Sequence, residues 1–389
     1  MKKIAFLVSA FFLVIVFSGR PGLSQETDPS ITGISRAFNP AISLNGLFYG
    51  MGTSLESEEH HEDESEGHHH GLEPGIHLQE VELAITANVD PYLRADATFA
   101  SHGENVELES LFITTLQAPA GFQVRLGKFY VPFGLHNQLH THAFPFVEPP
   151  LINQGTFGHH GWIDTGVTCS WLAPLPWYFN LTVGGFGGPE EGVFSSSPEE
   201  EFVGFGRIEN LFDLSDAATF RVGGSFAWGP AILESDTSTV PDARVVEQVW
   251  GADLQFKWRP PQFQQTRGLV LQAEWLERQR LFNDNEWIGA GKGYYVMGLA
   301  QVSRWWWLQA RYDWRERQPT PKGDPIFYQH EDEDMNLGLQ RWSYAVALVP
   351  THFQAYKLEY SVIDHGGRLE YRTCFQVNFT IGSHPAHEY

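Results

Sequence analysis

Most of this chain consists of segments of about ten residues in which apolar and polar side chains alternate with a period of two. In residues 81–87, for example, apolar side chains occupy the odd positions, whereas Glu82 and Thr86 occupy even ones. A period of two is typical of β-strands with one apolar face. Beyond residue 24 no amphipathic helical pattern is sustained, so the sequence predicts an all-β protein.

The pattern predicts sixteen strands, an even number that suits a closed antiparallel barrel. They lie near 41–50, 77–88, 91–101, 106–117, 121–131, 162–172, 176–186, 202–212, 217–229, 244–258, 268–280, 294–303, 304–317, 335–350, 351–363 and 369–381.

The connections between these strands alternate in length. Connections after odd-numbered strands are mostly long, and those after even-numbered strands are mostly short. The long ones are 51–76, 132–161, 187–201, 230–243, 281–293 and 318–334. Transmembrane β-barrels of the outer membrane have long loops outside and short periplasmic turns. The alternative, a soluble sandwich or β-helix, predicts no such alternation, so we expect a transmembrane barrel.

The first residues are typical of an export signal. Lys2 and Lys3 precede an apolar run over 4–17, and small residues follow where a peptidase would cleave. The run is short for a membrane-spanning helix, although an uncleaved anchor is the alternative. We therefore expect residues 1–24 to be a signal peptide and residues 25–389 to form a barrel in the outer membrane of a double-membraned bacterium.

The composition of the chain limits the kinds of partner that it is expected to bind. The formal net charge of −22 argues against nucleic acid and suits cations. Aromatic residues make up 14% of the chain, which suits rings placed at two membrane–water interfaces. Outer-membrane lipid and small ions or metal are thus the expected partners.

Two cysteines, Cys169 and Cys374, fall in the sixth and the last predicted strands. These strands should not be neighbours, so we expect no disulfide between them. The sequence contains no nucleophile elbow, phosphate-binding loop or dinucleotide fingerprint. We therefore expect no enzymatic activity and no required cofactor.

Residues 56–70, in the first outer loop, hold the densest group of candidate metal ligands. The candidates are His60, His61, Glu62, Asp63, His68, His69 and His70. Imidazoles and carboxylates bind borderline divalent cations such as Zn²⁺. The stretch has no fixed ligand spacing, so it predicts low-affinity capture; a merely solvated acidic loop is the alternative.

The connection 132–161 is the second histidine-rich region. Its candidate ligands are His136, His140, His142, His159 and His160. In sixteen-stranded porins the long loop after strand five commonly folds into the lumen, so a ring of imidazoles would line the narrowest point. Neutral imidazole binds metal, so acid should abolish the site. Alternatively, these histidines bind only backbone and water.

Two segments carry a family resemblance. Residues 124–134 read Val-Arg-Leu-Gly-Lys-Phe-Tyr-Val-Pro-Phe-Gly and resemble the Gly-Lys/Arg-Phe-x-x-Pro-Phe-Gly segment of the phosphate-selective porin O and P family. That resemblance implies a sixteen-stranded outer-membrane channel, although the family's arginine and lysine ladder is not visible in this sequence. Residues 38–46 and 118–121, with the histidines of 136–142, resemble poorly characterised proteins labelled zinc-regulated outer-membrane receptors.

The second label implies dependence on TonB. A TonB-dependent receptor needs about 22 strands and an N-terminal plug, for which this chain has no room. The sequence therefore predicts a channel for small solutes with a divalent metal, zinc, as its favoured cargo. A general or anion-type porin with incidental histidines and a non-transporting surface metal-binding protein are the alternatives. Many sixteen-stranded porins are homotrimers, and the sequence leaves the oligomeric state open.

Overall fold

The computed structural model describes residues 40–54, 72–103, 105–188, 193–194, 202–233, 243–282, 286–316 and 338–382. Within them sixteen strands form one closed antiparallel barrel, which confirms the predicted fold class. Each strand pairs with its neighbours in the sequence, and β1 pairs with β16 to close the sheet. The expected signal peptide at 1–24 lies outside the described residues, as does most of the loop 51–76.

The strand positions agree with the predicted ones to within a few residues, except for β12, which begins at residue 286. The strands are β1 Ala41–Thr53, β2 Gly75–Asn88, β3 Leu93–Ser101, β4 Val106–Thr115, β5 Phe122–Tyr130, β6 Ile163–Leu172, β7 Tyr178–Phe186, β8 Val203–Ser215, β9 Ala218–Leu233, β10 Ala243–Trp258, β11 Gly268–Phe282, β12 Glu286–Gln301, β13 Trp306–Arg315, β14 Leu339–Thr351, β15 Gln354–Asp364 and β16 Leu369–Gly382.

Helical structure among the described residues is limited to short pieces. One α-helix, α1 (Leu151–Phe157), lies in the connection between β5 and β6. Short 3₁₀ turns occupy Pro119–Gly121, His136–Gln138, Thr141–Ala143 and Pro261–Phe263. None of the helices in the described part of the chain is long and apolar enough to cross a membrane.

Side-chain alternation separates a lipid-facing surface from a packed lumen. In β14, Trp342 and Tyr344 are exposed on the outside, whereas Arg341 and Ser343, which alternate with them, are buried inside. This is the arrangement of a barrel in a membrane, with apolar residues toward lipid and polar ones toward the lumen.

Exposed aromatic side chains mark the short-turn end of the barrel. They are Tyr92, Trp177, Phe263, Trp305 and Phe353, each in or next to a connection that follows an even-numbered strand. Aromatic rings concentrate at membrane–water interfaces. Trp305 and its neighbour Trp306 are both exposed, as rings at such an interface would be.

One long connection was predicted wrongly. The stretch 281–293 is mostly strand, because β11 continues to Phe282 and β12 begins at Glu286. Glycine and charged residues in this stretch hid the alternation that identifies a strand. The nine-residue connection 259–267 is long as expected and contains a 3₁₀ turn.

Cys169 on β6 and Cys374 on β16 are both free, as expected. β6 pairs with β5 and β7, whereas β16 pairs with β15 and β1. The two cysteines are therefore on strands that are not neighbours in the barrel.

An aromatic core fills part of the lumen. Trp162, only 1% exposed, stacks on Phe157 with ring centroids 5.7 Å apart. Its indole also packs against Phe186 of the wall and against Phe194. Burying an aromatic side chain stabilises by roughly 1.5–3 kcal/mol, so this core holds the end of the connection 131–162 inside the barrel.

We predict that Leu358→Arg, on the lipid face near the middle of β15, destabilises the barrel. Leu358 is 53% exposed. Arginine at the midplane of a bilayer costs about 2–4 kcal/mol, whereas near the interface the cost is about 0–1 kcal/mol. The matched control is Leu369→Arg, at the outer end of β16. Urea unfolding from phospholipid vesicles gives both free energies; equal costs would contradict this placement of the lipid-facing surface.

Candidate functional site

The connection between β5 and β6, residues 131–162, lies inside the barrel, and we call it the lumen loop. Glu274 of β11 accepts hydrogen bonds from the backbone N–H groups of Leu135 and His136, with O···N distances of 3.2 and 3.1 Å. Irregular backbone at membrane depth needs such partners because no lipid group can supply them. These bonds hold this part of the loop against the lumenal face of β11.

Two further carboxylates hold the lumen loop by its backbone. Asp313 of β13 accepts from the N–H of Leu151 at 3.2 Å. Glu359 of β15 accepts from the N–H of Val147 at 2.8 Å. Because β11, β13 and β15 all contribute acceptors, the loop is tied to an extended part of the barrel wall.

Where the lumen loop meets β2 and β4, two imidazoles lie against three carboxylates. We call this group, Glu80, Glu82, Glu109, His140 and His142, the Glu–His cluster. Nδ1 of His140 lies 2.9 Å from Oε2 of Glu109 and 3.2 Å from Oε2 of Glu82. Nδ1 of His142 lies 3.1 Å from the same Glu82 oxygen. Glu82 is therefore the shared centre of the cluster.

Two different features of the strands direct the three carboxylates of the wall into the lumen. Glu80 and Glu82 are two residues apart on β2, so both point to the lumen. Glu109 lies at a β-bulge of β4: Thr98 of β3 pairs with Ser110, and Phe99 pairs with Leu108. A bulge re-aims a side chain. Glu109 consequently points inward, although simple alternation would place it outside.

Neighbouring groups fix the orientation of the cluster. The hydroxyl of Tyr130 donates to Oε1 of Glu109 at 2.6 Å, which leaves Oε2 toward His140. The side-chain amide of Asn378 donates to the backbone carbonyl of His142 at 3.0 Å. Partners of this kind commonly orient the ligands of a metal ion.

The cluster has the donor types and spacing of a metal site. One ligand atom from each of Glu80, Glu82 and His142 lies within 4.8 Å of the others, and the same holds for Glu82, Glu109 and His140. Carboxylate oxygen and imidazole nitrogen are ligands of zinc. The two triads share Glu82, so they offer two adjacent positions for a cation.

The structure divides the five histidines of the lumen loop among three places. His140 and His142 join the Glu–His cluster. His136 is buried elsewhere, with its ring 4.6 Å from Phe144 and 6.4 Å from Tyr295.

The remaining two, His159 and His160, lie at the far end of the loop, with ring centroids 5.7 Å apart. The expected single ring of imidazoles is therefore not formed. The candidate ligands His60, His61, Glu62, Asp63, His68, His69 and His70 lie outside the described residues.

The environment of the loop histidines shifts their pKa values in opposite directions. Burial lowers the pKa of His140, but the facing carboxylates of Glu109 and Glu82 outweigh it, so the net pKa is well above 6.5. The pKa of His136 is well below 6.5, because of burial first and the nearby cations Arg311 and Arg341 second. His140 thus favours its charged form and His136 its neutral form.

Sequence reasoning missed a set of lumenal arginines. They are Arg207, Arg278, Arg280, Arg311, Arg341 and Arg372, on β8, β11, β13, β14 and β16. Each lies against at least one carboxylate, as Arg341 does against Asp313 at 3.1 Å. The signal that could have identified them is their position on the polar face of alternating strands, opposite the exposed apolar residues.

The lumen loop contributes to this basic region through Glu148. Its carboxylate lies 3.2 Å from guanidinium nitrogens of Arg341 and of Arg372. Burial raises the pKa of Glu148, but Arg341 and Arg372 lower it more, so the net pKa lies below its usual 4.5. On the arginine-rich side of the lumen, carboxylates therefore neutralise much of the positive charge of the arginines.

Comparison with known proteins identifies the fold. No protein-family model matches the chain. An uncharacterised protein of Aquifex aeolicus (strain VF5) is 27% identical over 391 residues, covering 91% of this chain and 81% of that protein.

Among solved structures, the in-vitro folded trimer form of OmpT from Vibrio cholerae is similar, with a TM-score of 0.54 and 10% identity over 88% of this chain and 99% of that one. An anion-selective porin from Comamonas acidovorans has a TM-score of 0.56 and 9% identity, covering 88% and 100%. Salmonella typhi OmpF in complex with daunomycin has a TM-score of 0.54 and 9% identity, covering 89% and 98%.

These likenesses are too distant in sequence to show more than the fold. The fold is a porin-like outer-membrane β-barrel of sixteen strands. A closed barrel with an apolar outer face is one of the two structures that can span a bilayer, and it places the protein in the outer membrane.

We predict that attachment of the lumen loop at His140 weakens as pH rises. The pKa of His140 in the folded protein lies above 6.5, its ordinary value. The contacts of its imidazolium therefore stabilise the loop fully below pH 6.5, and this stability is lost as pH rises through the pKa of the folded protein. Hydrogen exchange of backbone amides 139–143, corrected for intrinsic rates, should show less protection at about pH 9 than at about pH 6. In His140→Gln this pH dependence should vanish. An unchanged dependence in the variant would contradict the assignment.

Proposed function

We propose that this protein is an outer-membrane channel for small solutes and that divalent metal ions, zinc in particular, are its favoured cargo. The observation that carries the proposal is the Glu–His cluster. There two imidazoles of the lumen loop meet three carboxylates of the barrel wall within ligand distance of one another. A function as a channel, with no chemical reaction, suits the fold.

Charge supports a cation. Glu82 is almost fully buried, and among the described residues it faces the imidazoles of His140 and His142 and is paired with no arginine. Acidic groups in a cleft with low-dielectric walls concentrate cations. A divalent ion that sheds water at a narrow point needs replacement ligands, and the cluster supplies oxygen and nitrogen atoms.

The ligand types support a transition metal over calcium or magnesium. Ca²⁺ and Mg²⁺ prefer sites made of oxygen alone, whereas imidazole suits zinc, copper, iron and nickel. His140 and His142 therefore favour zinc-like ions. We further propose that residues 56–70, rich in histidine and acid, gather such ions at the outer mouth before they reach the lumen.

An anion-type porin is the second candidate, and the six lumenal arginines favour it. One protein of similar fold is described as an anion-selective porin. Every one of the six arginines lies against a carboxylate, however, so their net contribution to the potential is small. The cluster, in contrast, has three carboxylates against two imidazoles. A surface metal-binding protein that conducts nothing is the third candidate.

We also propose that the barrels assemble as homotrimers. The similar OmpT of Vibrio cholerae is described in a trimer form. Chemical cross-linking in native membranes, read by mass, distinguishes a trimer from a single barrel.

Reversal potentials in planar bilayers test the channel and its selectivity together. In a potassium chloride gradient we expect a preference for potassium, and we expect added zinc chloride to reduce the potassium current by occupying the cluster. Glu82→Gln removes the shared carboxylate. Because two unit charges about 4 Å apart interact by roughly 1 kcal/mol in water, the potassium-to-chloride permeability ratio should fall about fivefold.

The matched control is Glu277→Gln, which removes a carboxylate from the outer face of β11 and should leave both readouts unchanged. A preference for chloride that is indifferent to zinc would support the anion-type porin and exclude the metal proposal. Absence of any conductance would favour the surface-binding alternative.

A further inference from the structure

A pair of histidines lies beside the Glu–His cluster but outside it. His102 follows the last residue of β3, at the long-loop end of the barrel, and His160 lies near the end of the lumen loop. Their ring centroids are 4.6 Å apart, with an interplanar angle of 51°. The His102 side chain is 33% exposed. The two imidazoles come from separate parts of the chain and meet at the rim of the lumen.

Hydrogen bonding sets the tautomer of His102. Its Nδ1 lies 3.3 Å from the backbone carbonyl oxygen of Gln79. A carbonyl can only accept, so Nδ1 carries the hydrogen and Nε2 keeps its lone pair. A histidine that donates one ring N–H to a carbonyl and offers the other nitrogen is the usual arrangement of a metal ligand.

A buried carboxyl group lies beside His102 of this pair. Glu80 is 1% exposed, and neither of its carboxylate oxygens accepts a hydrogen bond from the described residues. Oε2 of Glu80 lies 3.9 Å from Nδ1 of His102, too far for a hydrogen bond. A buried carboxylate without donors costs free energy, which a cation next to it would offset.

Glu80 belongs to the cluster as well as to the rim. Its carboxylate lies within 4.8 Å of ligand atoms of Glu82 and His142. From the rim inward the candidate ligands are therefore His160, His102, Glu80 and then Glu82. Glu80 therefore lies between the rim pair and the cluster, with Oε2 3.9 Å from His102 and a carboxylate oxygen within 4.8 Å of ligand atoms of Glu82 and His142.

We propose that His102 and His160 form an outer binding station for a zinc-like divalent cation, which passes from it to Glu80 and on to the Glu–His cluster. The station itself is a metal site in its own right. Its role as the first step of permeation rests on the proposed channel function.

Chemical footprinting tests the station without reference to transport. Diethyl pyrocarbonate acylates accessible imidazoles, and mass spectrometry reads the extent peptide by peptide. In the full-length folded protein we expect zinc chloride to protect His102 and His160. His352, which is exposed in the turn between β14 and β15 at the opposite end of the barrel, is the control and should stay reactive. Equal labelling of His102 and His160 with and without zinc would overturn the station.

Zinc uptake by vesicles that carry the protein in their membrane and a zinc-sensitive dye inside tests the passage of the ion from the station to the cluster. The double variant His102→Ala/His160→Ala should raise the zinc concentration for half-maximal uptake by about tenfold or more. His352→Ala should match the wild type. Protection in the footprint together with unchanged uptake in the double variant would overturn the passage from station to cluster.

The two proposals fail in different ways. Wild-type vesicles that take up no zinc would refute the channel proposal and with it the passage, while the footprint alone decides whether the station binds zinc. Wild-type uptake that the double variant does not alter would leave the channel proposal intact and refute only the passage.

Discussion

The position of the lumen loop depends on the hydrogen bonds that wall carboxylates accept from its backbone. Glu274, Asp313 and Glu359 each accept from an N–H of residues 131–162. The lumen loop, residues 131–162, is mostly irregular, and such a segment inside a membrane barrel is stable only when its N–H donors find acceptors. Because these bonds fix the loop across the barrel, His140 and His142 come to lie against Glu82.

The division of charge inside the barrel follows from this placement. Toward β11, β13, β14 and β16 the lumen contains arginines, and Glu148 of the loop lies between Arg341 and Arg372. Toward β2 and β4 it contains carboxylates that face imidazoles. The loop thus supplies an acid to the basic side and histidines to the acidic side. This complementarity explains how one segment can bind both parts of the wall.

The sequence was sufficient to predict the barrel and its sixteen strands, since a period of two and the alternating loop lengths are local signals, whereas the lumenal position of the loop was expected only by analogy with sixteen-stranded porins. The candidate site was only half predictable. His140 and His142 were identified, but their partners were not, because contact between a loop and a distant wall leaves no local pattern. Glu109 was hidden by the bulge opposite Thr98 and Phe99, which reverses its face. His136 looked like His140 in sequence, and only its burial near Tyr295 separates them.

The central claim is that histidines of the lumen loop and carboxylates of the wall form one metal-binding cluster inside the barrel. Crystals of the protein soaked in zinc chloride, measured on both sides of the zinc absorption edge, test it directly. We expect an anomalous peak within about 2.0–2.2 Å of a Glu82 carboxylate oxygen and of a His140 or His142 nitrogen. Zinc peaks elsewhere on the protein with none beside Glu82, or a lumen loop that lies outside the barrel, would contradict it.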